Sequence, residues 1–352
     1  MNHKIYMQRC LQLAEKGLST VAPNPMVGAV IVHEGKIIGE GYHQKYGEAH
    51  AEVNAIASVK DKNLLKTSTL YVNLEPCAHF GKTPPCANAI VENKIPQVVI
   101  GTKDIFGKVN GKGIEILEKS GVKTIVGTLE DECLQLNKRF FTFHDKKRPY
   151  IVLKWANTKD GFIDKIRSEN AKPEWITNDL AKLWVHKWRT EEQAIMVGSG
   201  TAFKDNPQLN VRMWTGNNPL RVILDNSLQL PTHLHVFDNT QPTIIFNSIK
   251  SEKKDNTEFI KIDFSDKKSV LKQILDVLYE KNIQSLFVEG GQKLLQSFID
   301  HQLWDEARVF IGNKIFGMGI KQPIFTHKNY DLTTIGDCQL KVFLHRNQLQ
   351  EI

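Results

Sequence analysis

The sequence predicts an α/β protein built from two domains. Its 352 residues exceed the usual size of one domain, and 41 % hydrophobic with 24 % charged residues is typical of a folded chain rather than a disordered or fibrous one. Short runs rich in Val, Ile and Leu alternate with amphipathic segments along the chain. The polar segment 144–149 interrupts this alternation. We therefore predict domains over residues 1–147 and 148–352.

The first domain is predicted to be layered, with helices packed on a mixed sheet. Two apolar runs near its start have the pattern of a β-hairpin, and later runs alternate with helical segments. The predicted strands are 27–32, 36–42, 69–74, 97–101 and 122–126, and the predicted helices are one ending at residue 18 and others over 50–59, 86–93, 111–120 and 130–142.

The second domain is predicted to contain a largely parallel, doubly wound sheet, because short apolar runs again alternate with helical patterns. Ligands in such sheets bind beyond the carboxyl ends of the strands, so the glycine-containing segments 198–200 and 290–291 mark a candidate crevice. The predicted strands are 149–156, 194–198, 220–225, 243–247, 285–288 and 304–312, and the predicted helices include 178–189 and 269–280.

Composition narrows the function classes. The net charge of +7 suits either nucleic acid or a phosphorylated small molecule, and no tail or block concentrates it. No stretch approaches the length of a membrane span or a signal peptide, so we expect a cytoplasmic protein without a membrane partner. The five cysteines form a poor disulfide framework and suit a reducing compartment. They are Cys10, Cys77, Cys86, Cys133 and Cys338.

A metal site is the sharpest chemical prediction. His50 and Glu52 form a His-x-Glu pair, and Cys77 and Cys86 follow, the first directly after a proline. One imidazole and two thiolates supply the three ligands of a catalytic zinc, which keeps its fourth position for water. Glu52 is then expected to transfer protons between that water and a leaving nitrogen. This order of residues is the signature of zinc-dependent nucleobase deaminases.

A structural zinc is the alternative for this set. Such a site normally has four protein ligands, and the nearby fourth candidates are His79 and His43. A structural zinc would give Glu52 no chemical role. The eight residues between the two cysteines, where deaminases commonly have two, are interpreted as a specificity loop.

Longer motifs carry a resemblance that covers essentially the whole chain. Residues 76–86 resemble the Pro-Cys-x-His-x-Gly-x-Thr-Pro-Pro-Cys motif of the bifunctional deaminase–reductases of riboflavin biosynthesis, and residues 23–28, 41–44 and 47–53 match further. The resemblance implies a cytidine-deaminase-like α/β/α domain followed by a dihydrofolate-reductase-like α/β domain. It also implies zinc-dependent deamination of 2,5-diamino-6-hydroxy-4-(5-phosphoribosylamino)pyrimidine, then NADPH-dependent reduction of the ribose to a ribityl chain.

The same resemblance implies site residues. In the first domain Asn24 and His43 would contact the pyrimidine or its ribose-side substituents, and His79 and Lys82 the phosphoribosyl part. In the second domain Lys154, among strand residues, is a catalytic candidate whose alternative is an edge position with its amine in solvent. The resemblance places Arg189, Leu209, Arg212 and Glu289 at the substrate, and Ala156, Trp175, Thr201, Asp205, Gly291, Gln292, Lys293, Leu294, Leu295, Gln296 and Ser297 at NADPH.

Two departures from the family pattern affect detail. The segment 104–113 differs from the usual asparagine-containing loop, and Pro173 stands where a serine commonly precedes the Trp-Ile-Thr motif. No Gly-x-Gly-x-x-Gly dinucleotide fingerprint is present.

Two rival interpretations remain open. A polynucleotide deaminase would need clustered basic and aromatic residues for flanking nucleotides, and the even charge distribution does not supply them. We therefore expect no nucleic-acid partner. Alternatively, residues 148–352 are a non-catalytic scaffold that dimerises; the sequence leaves a homo-oligomer open.

Overall fold

The computed structural model describes residues 2–78, 84–105, 111–168 and 173–345. The chain divides into two compact units, Met1–Lys147 and Arg148–Ile352. No helix in the described ranges combines the length and apolar character needed to cross a membrane.

In the described part of the first unit, five strands form one mixed sheet of order β2-β1-β3-β4-β5. Strand β1 pairs antiparallel with β2 and β3, whereas β3, β4 and β5 run parallel. The mixed sheet and the hairpin agree with the prediction. The strands are β1 (Gly28–His33), β2 (Lys36–Tyr42), β3 (Thr69–Leu74), β4 (Gln97–Thr102) and β5 (Lys123–Val126), and the helices are α1 (His3–Ala14), α2 (Ala51–Ser58), α3 (Cys86–Glu92), α4 (Lys112–Lys119), α5 (Glu130–Leu136) and α6 (Lys138–Lys146).

Helices cover both faces of this sheet. Apolar residues of α2, α3 and α4 pack with β1, β3 and β4 in one core cluster. Residues of α1 and α5 pack with the opposite faces of the same strands in another. Strand β3 is buried along nearly its whole length, which explains its continuous apolar sequence. The result is an α/β/α sandwich in which the end of β3 and the starts of α2 and α3 are available for a site.

The predicted single helix over 130–142 is wrong, because the chain forms two helices that meet at Asn137. The Asn137 side chain accepts a hydrogen bond from the Met26 backbone N–H (2.8 Å) and donates one to the Met26 carbonyl (2.9 Å). An asparagine that binds distant backbone competes with helical hydrogen bonding, and the local amphipathic pattern does not reveal it.

In the described part of the second unit, ten strands form a sheet of order β11-β12-β10-β9-β8-β13-β6-β14-β17-β16, and β7 pairs with β15 in a small separate sheet. The strands are β6 (Tyr150–Asn157), β7 (Phe162–Asp164), β8 (Ala194–Gly198), β9 (Leu220–Leu224), β10 (Thr243–Asn247), β11 (Glu252–Lys254), β12 (Thr257–Lys261), β13 (Ser285–Val288), β14 (Glu306–Ile311), β15 (Ile320–Lys321), β16 (Asp331–Ile335) and β17 (Cys338–Leu344), and the helices are α7 (Asp179–Glu191), α8 (Ser199–Asp205), α9 (Lys267–Glu280) and α10 (Gln292–Asp300).

The centre of the large sheet is parallel, as predicted, and its edges are antiparallel. Strands β12, β10, β9, β8, β13, β6 and β14 run parallel to one another. Strands β11, β16 and β17 add antiparallel edges that the prediction omits. Strand β16 is exposed over four of its five residues, so it lacks the apolar run that marks a buried strand. The carboxyl ends of β6, β8 and β13 lie together at one edge.

A buried ion pair ties the start of the second unit to β14. The Arg148 guanidinium binds both Asp305 carboxylate oxygens (2.6 and 2.9 Å), and one of those oxygens also accepts the Ile151 N–H (2.8 Å). The Asp305 side chain is only 4 % exposed. Removing the carboxylate would leave both a guanidinium and a backbone N–H without this acceptor.

We predict that Asp305→Ala destabilises the second unit by about 3–5 kcal/mol, the usual result of removing one partner of a buried ion pair. All six tryptophans lie between residues 155 and 304, so tryptophan fluorescence during urea denaturation follows this unit alone. The matched control is Asp276→Ala on the exposed face of α9, expected to stay within about 0.5 kcal/mol of wild type. Equal unfolding midpoints for the two variants would contradict the prediction.

Candidate functional site

Three predicted metal ligands come together at the end of β3. His50 is the residue that precedes α2, Cys86 is the first residue of α3, and Cys77 lies in the segment that follows β3. One ligand atom from each lies within 4.8 Å of the others. In the sequence these three residues span 37 positions. The fold brings them together because α2 and α3 pack side by side on the sheet.

The distances fit a tetrahedral metal site. His50 Nδ1 lies 3.5 Å from Cys77 Sγ and 3.3 Å from Cys86 Sγ. A tetrahedral zinc with ordinary bond lengths separates an imidazole nitrogen from a thiolate sulfur by roughly 3.6 Å. The donor set of one nitrogen and two sulfurs is also the borderline-soft set that zinc prefers. These three residues therefore fit a zinc ion with one coordination position left for another ligand.

The surroundings of Cys77 favour its thiolate. A hydrogen bond from the Cys86 thiol is the largest influence and, with His50 and the Cys86 backbone N–H, lowers the pKa of Cys77, whereas the same hydrogen bond raises the pKa of Cys86. That backbone N–H lies at the start of α3 and donates to Cys77 Sγ at 3.3 Å. Thiolates are the metal-binding form of cysteine, so the site is electrostatically prepared for a cation.

Glu52 is buried beside these ligands without being one of them. It lies in the first turn of α2, and its residue is 3 % exposed. Burial is the main cause that raises the pKa of its carboxyl to about 7. A carboxyl group with a pKa near neutrality can both accept and return a proton.

Asn24 and His43 form a polar pair next to the ligands. His43 Nδ1 lies 3.1 Å from the Ala49 carbonyl, so this nitrogen carries the proton, and Nε2, 3.1 Å from Asn24 Nδ2, accepts. Burial lowers the pKa of His43, which keeps the ring neutral. The His43 and His50 rings are 5.2 Å apart in an edge-to-face arrangement. His79 and Lys82 lie outside the described residues.

In the second unit, three predicted residues form a charged network at the carboxyl edge of the large sheet. Arg189 of α7 donates to both oxygens of Glu289 (2.8 and 3.0 Å), and Lys154 Nζ of β6 lies 3.7 Å from the same carboxylate. Their side chains are between 10 and 17 % exposed. Burial lowers the pKa of Lys154 and Glu289 opposes that change, whereas its cationic neighbours hold the pKa of Glu289 at about 2.

Asn210 connects this network to the other predicted substrate residues. Its backbone carbonyl accepts from Arg189 (2.9 Å), and its side-chain oxygen accepts from Arg212 (3.2 Å). Leu209, next to it, is buried. The sequence prediction missed Asn210, and also His186, which is one helical turn before Arg189; burial is the main cause that lowers the pKa of His186 to about 4. The sequence did offer one signal for His186: it lies three residues before Arg189, and residues with this spacing share one face of a helix.

One group of predicted cofactor residues lies where helices α8 and α10 begin. Thr201 and Gly291 approach closely, since a Cβ added to Gly291 would lie 3.0 Å from Thr201 Oγ1, so the starts of α8 and α10 meet after β8 and β13. Leu294 and Leu295 belong to the core, and Gln296 bonds Asp300 and Ile324. Helix α10 begins at this point, and Gln292, Lys293 and Ser297 lie within its first six residues.

The remaining predicted cofactor residues have other partners in the structure. Asp205 forms an ion pair with Arg167, which also binds Asp164. Trp175 is 54 % exposed, and the Lys182 amine lies 4.1 Å from its ring centre. Ala156 lies on β6, opposite Phe310 of β14. Sequence reasoning missed Arg167.

Each unit matches the sequence model of a known family. Residues 1–102 match the sequence model of the cytidine and deoxycytidylate deaminase zinc-binding region, and residues 149–342 match that of the RibD C-terminal domain. The fold and the two sites therefore define a deaminase joined to a reductase in one chain.

Relatives match over nearly the whole chain. The riboflavin biosynthesis protein RibD of Aquifex aeolicus is 42 % identical over 320 residues, 90 % of this chain and 88 % of that protein. A diaminohydroxyphosphoribosylaminopyrimidine deaminase/5-amino-6-(5-phosphoribosylamino)uracil reductase from Thermotoga maritima superimposes with a TM-score of 0.86 at 39 % identity, covering 97 % of each chain. Acinetobacter baumannii RibD gives a TM-score of 0.85 at 30 % identity, covering 97 % of this chain and 98 % of that one. The chain belongs to the RibD family of riboflavin biosynthesis proteins.

We predict that the purified chain binds one zinc ion and that Cys77→Ser and His50→Ala each reduce its zinc content to background, because either change leaves two ligands. Metal analysis after gel filtration measures this. Cys133→Ala, which removes a buried thiol elsewhere in the same unit, should retain the wild-type metal content. Full zinc occupancy in both ligand variants would contradict the assignment.

Proposed function

We propose that this chain catalyses two consecutive steps of riboflavin biosynthesis. The first unit removes an amino group hydrolytically from 2,5-diamino-6-hydroxy-4-(5-phosphoribosylamino)pyrimidine, and the second unit reduces the ribose of the product with NADPH. The observation that carries the proposal is the cluster of His50, Cys77 and Cys86 with buried Glu52 beside it. The charged network of Lys154, Glu289 and Arg189 supports the second activity.

In the deaminase unit, His50, Cys77 and Cys86 would hold zinc, which when bound supplies a Lewis acid that makes water nucleophilic at neutral pH. Glu52 takes a proton from the attacking water and gives it to the leaving ammonia. Its buried position beside the three ligands suits both transfers. The ring carbon gains an oxygen and loses nitrogen, so the products are a pyrimidinedione and ammonia.

Asn24 and His43 would orient the pyrimidine. The Ala49 carbonyl fixes the proton of His43 on Nδ1, and Asn24 donates to Nε2, so the two side chains hold each other in place. A neutral histidine beside His50 avoids placing a second positive charge next to a bound cation. We propose that the Asn24 amide then makes hydrogen bonds to the ring or to the substituent on its ribose side.

In the reductase unit, bound NADPH would supply the hydride that reduces the anomeric carbon of the ribosylamine. The bond between that carbon and the ring oxygen breaks, and the oxygen takes a proton. Lys154 is the proposed proton donor, because Glu289 keeps an ammonium group favourable at a largely buried position. Arg189 and Arg212, connected through Asn210, would bind the phosphate.

NADPH would bind along the carboxyl edge of the large sheet. The starts of α8 and α10 meet there at Thr201 and Gly291, and the absence of a side chain on Gly291 lets a diphosphate approach backbone N–H groups. Asp205, Ala156, Trp175 and the first turn of α10 complete the proposed cofactor site. Since none of the five cysteines, all of which lie in the described residues, forms a disulfide, we place the enzyme in the cytoplasm.

The first prediction from this proposal concerns Glu52. We expect Glu52→Gln to retain zinc but to lower kcat for ammonia release by about 10²–10⁴-fold, the usual contribution of a general acid–base. Reduction of the separately prepared deaminated product should remain at the wild-type rate. Parallel loss of ammonia release and NADPH oxidation would contradict the two-site proposal.

The second prediction concerns the pH dependence of reduction. Burial lowers the pKa of Lys154 and Glu289 raises it, so Glu289→Gln should lower that pKa further. If the protonated amine donates the proton, activity falls as pH rises through this pKa. The alkaline limb of kcat, followed by NADPH oxidation at 340 nm, should therefore move to lower pH. The matched control is Glu258→Gln in an exposed ion pair with Lys281; an unmoved limb in Glu289→Gln would exclude Lys154 as the donor.

A further inference from the structure

Glu75, between β3 and Cys77, has a buried carboxylate that binds only backbone in the described residues. One oxygen accepts the N–H groups of Asp104 (3.2 Å) and Gly111 (3.0 Å). The other accepts those of Gly113 (2.9 Å) and Ile114 (3.4 Å). The residue is 4 % exposed. Four backbone donors on one carboxylate satisfy a negative charge that would otherwise be costly to bury.

This carboxylate serves as the cap of α4 from a distant part of the chain. Gly111, which precedes α4, has a φ of +85° and offers no side-chain cap of its own. The first N–H groups of a helix need external acceptors and favour negative charge. Glu75 supplies both the acceptor oxygens and the negative charge. It lies two positions before Cys77, a proposed metal ligand.

Direct packing reinforces the link between α4 and this segment. A Cβ added to Gly113 would lie 1.9 Å from the Pro76 carbonyl oxygen, a distance that no side chain tolerates. The first turn of α4 therefore lies directly against the backbone of Pro76. A shift of α4 towards this segment would therefore displace Pro76.

Cys77 is fixed from its other side by α3. Its carbonyl accepts the Ala87 N–H (3.2 Å), and its sulfur accepts the Cys86 N–H (3.3 Å). The segment 75–77 is thus held between the starts of two helices, with Glu75 attached to α4 and Cys77 attached to α3. The Glu75 backbone N–H also donates to the Thr102 carbonyl of β4 (3.0 Å), so loss of the carboxylate removes the hydrogen bonds to α4 and leaves the segment held through its backbone.

We propose that Glu75 is a positioning residue that holds Cys77 in the geometry required for metal binding. The inference rests on the proposed zinc-dependent function. It differs from a simple helix-capping role, because capping alone predicts lower thermal stability of the unit with no change in how firmly a folded molecule keeps its metal.

The test compares Glu75→Gln with Glu115→Gln, a matched change on the exposed surface of the same helix, where Glu115 pairs with Lys119. Glutamine keeps the size of the side chain but replaces one acceptor oxygen with a donor group that faces backbone N–H groups. Zinc release from the holoenzyme to a chromogenic chelator is followed at 25 °C. Reduction of the deaminated product, measured on the same preparations, reports whether the second unit is intact.

We expect zinc release from Glu75→Gln to be about 10–100-fold faster than from wild type, the range found when residues that orient metal ligands are changed. Glu115→Gln should release zinc at the wild-type rate. Wild-type release from Glu75→Gln, at whatever melting temperature, would overturn the proposal. A wild-type chain that holds no zinc would instead overturn the proposed function.

Glu75→Asp decides the matter if Glu75→Gln is purified without metal. Aspartate keeps the charge but withdraws the carboxylate by one methylene group, which lengthens its contacts to α4. Faster zinc release with an unchanged far-ultraviolet circular dichroism spectrum supports the positioning role. Release at the wild-type rate from this variant overturns it.

Discussion

The first unit depends on the convergence of two helix starts at the end of β3. Helices α2 and α3 present backbone N–H groups and the positive ends of their dipoles to the same small volume. His50 and Cys86 occupy those two starts, and Cys77 is brought to them by the buried strand. The hydrogen bond from the Cys86 N–H to Cys77 Sγ shows how this field stabilises negative sulfur. Burial of Glu52 beside the same volume then follows from the packing of α2 on the sheet.

The second unit stabilises buried charges by placing opposite charges next to one another. Lys154, Glu289 and Arg189 come from a strand, a strand end and a helix, and each charge is buried enough to require its partners. A single carboxylate shared between two cations keeps its negative charge and supports the ammonium group of Lys154. The parallel centre of the sheet places these residues and the starts of α8 and α10 at one edge. This is the edge at which we propose that substrate and cofactor bind, in a sequence without a dinucleotide fingerprint.

The buried strands and the proposed metal ligands could be predicted from sequence, because a single local pattern was enough to identify each of them. The strands over 69–74, 194–198, 243–247 and 285–288 have the predicted bounds because each is a buried apolar run. The proposed zinc ligands were predicted from residue type and order, and the structure brings the three side chains close together. The exposed edge strand β16 and the break between α5 and α6 have no comparable local signal. The break depends on Asn137 binding Met26, more than 100 residues earlier.

Residues that act through backbone contacts were the hardest to predict. Glu75 binds N–H groups 29 to 39 positions away, and Asn210 connects two arginines partly through its carbonyl. Neither residue type nor spacing identifies such contacts, because any residue has a carbonyl and many surface positions carry a glutamate. Their roles become apparent only when the fold shows which elements they join.

We propose that one chain carries two chemically independent sites. The most direct measurement follows ammonia release and NADPH oxidation separately on the same purified protein, before and after zinc is removed and restored. We predict that zinc removal abolishes ammonia release, that reduction of the pre-formed deaminated product continues, and that added zinc restores deamination. Ammonia release that persists without zinc would contradict a zinc-dependent deaminase site, and NADPH oxidation that is lost and recovered with zinc would contradict the independence of the two sites.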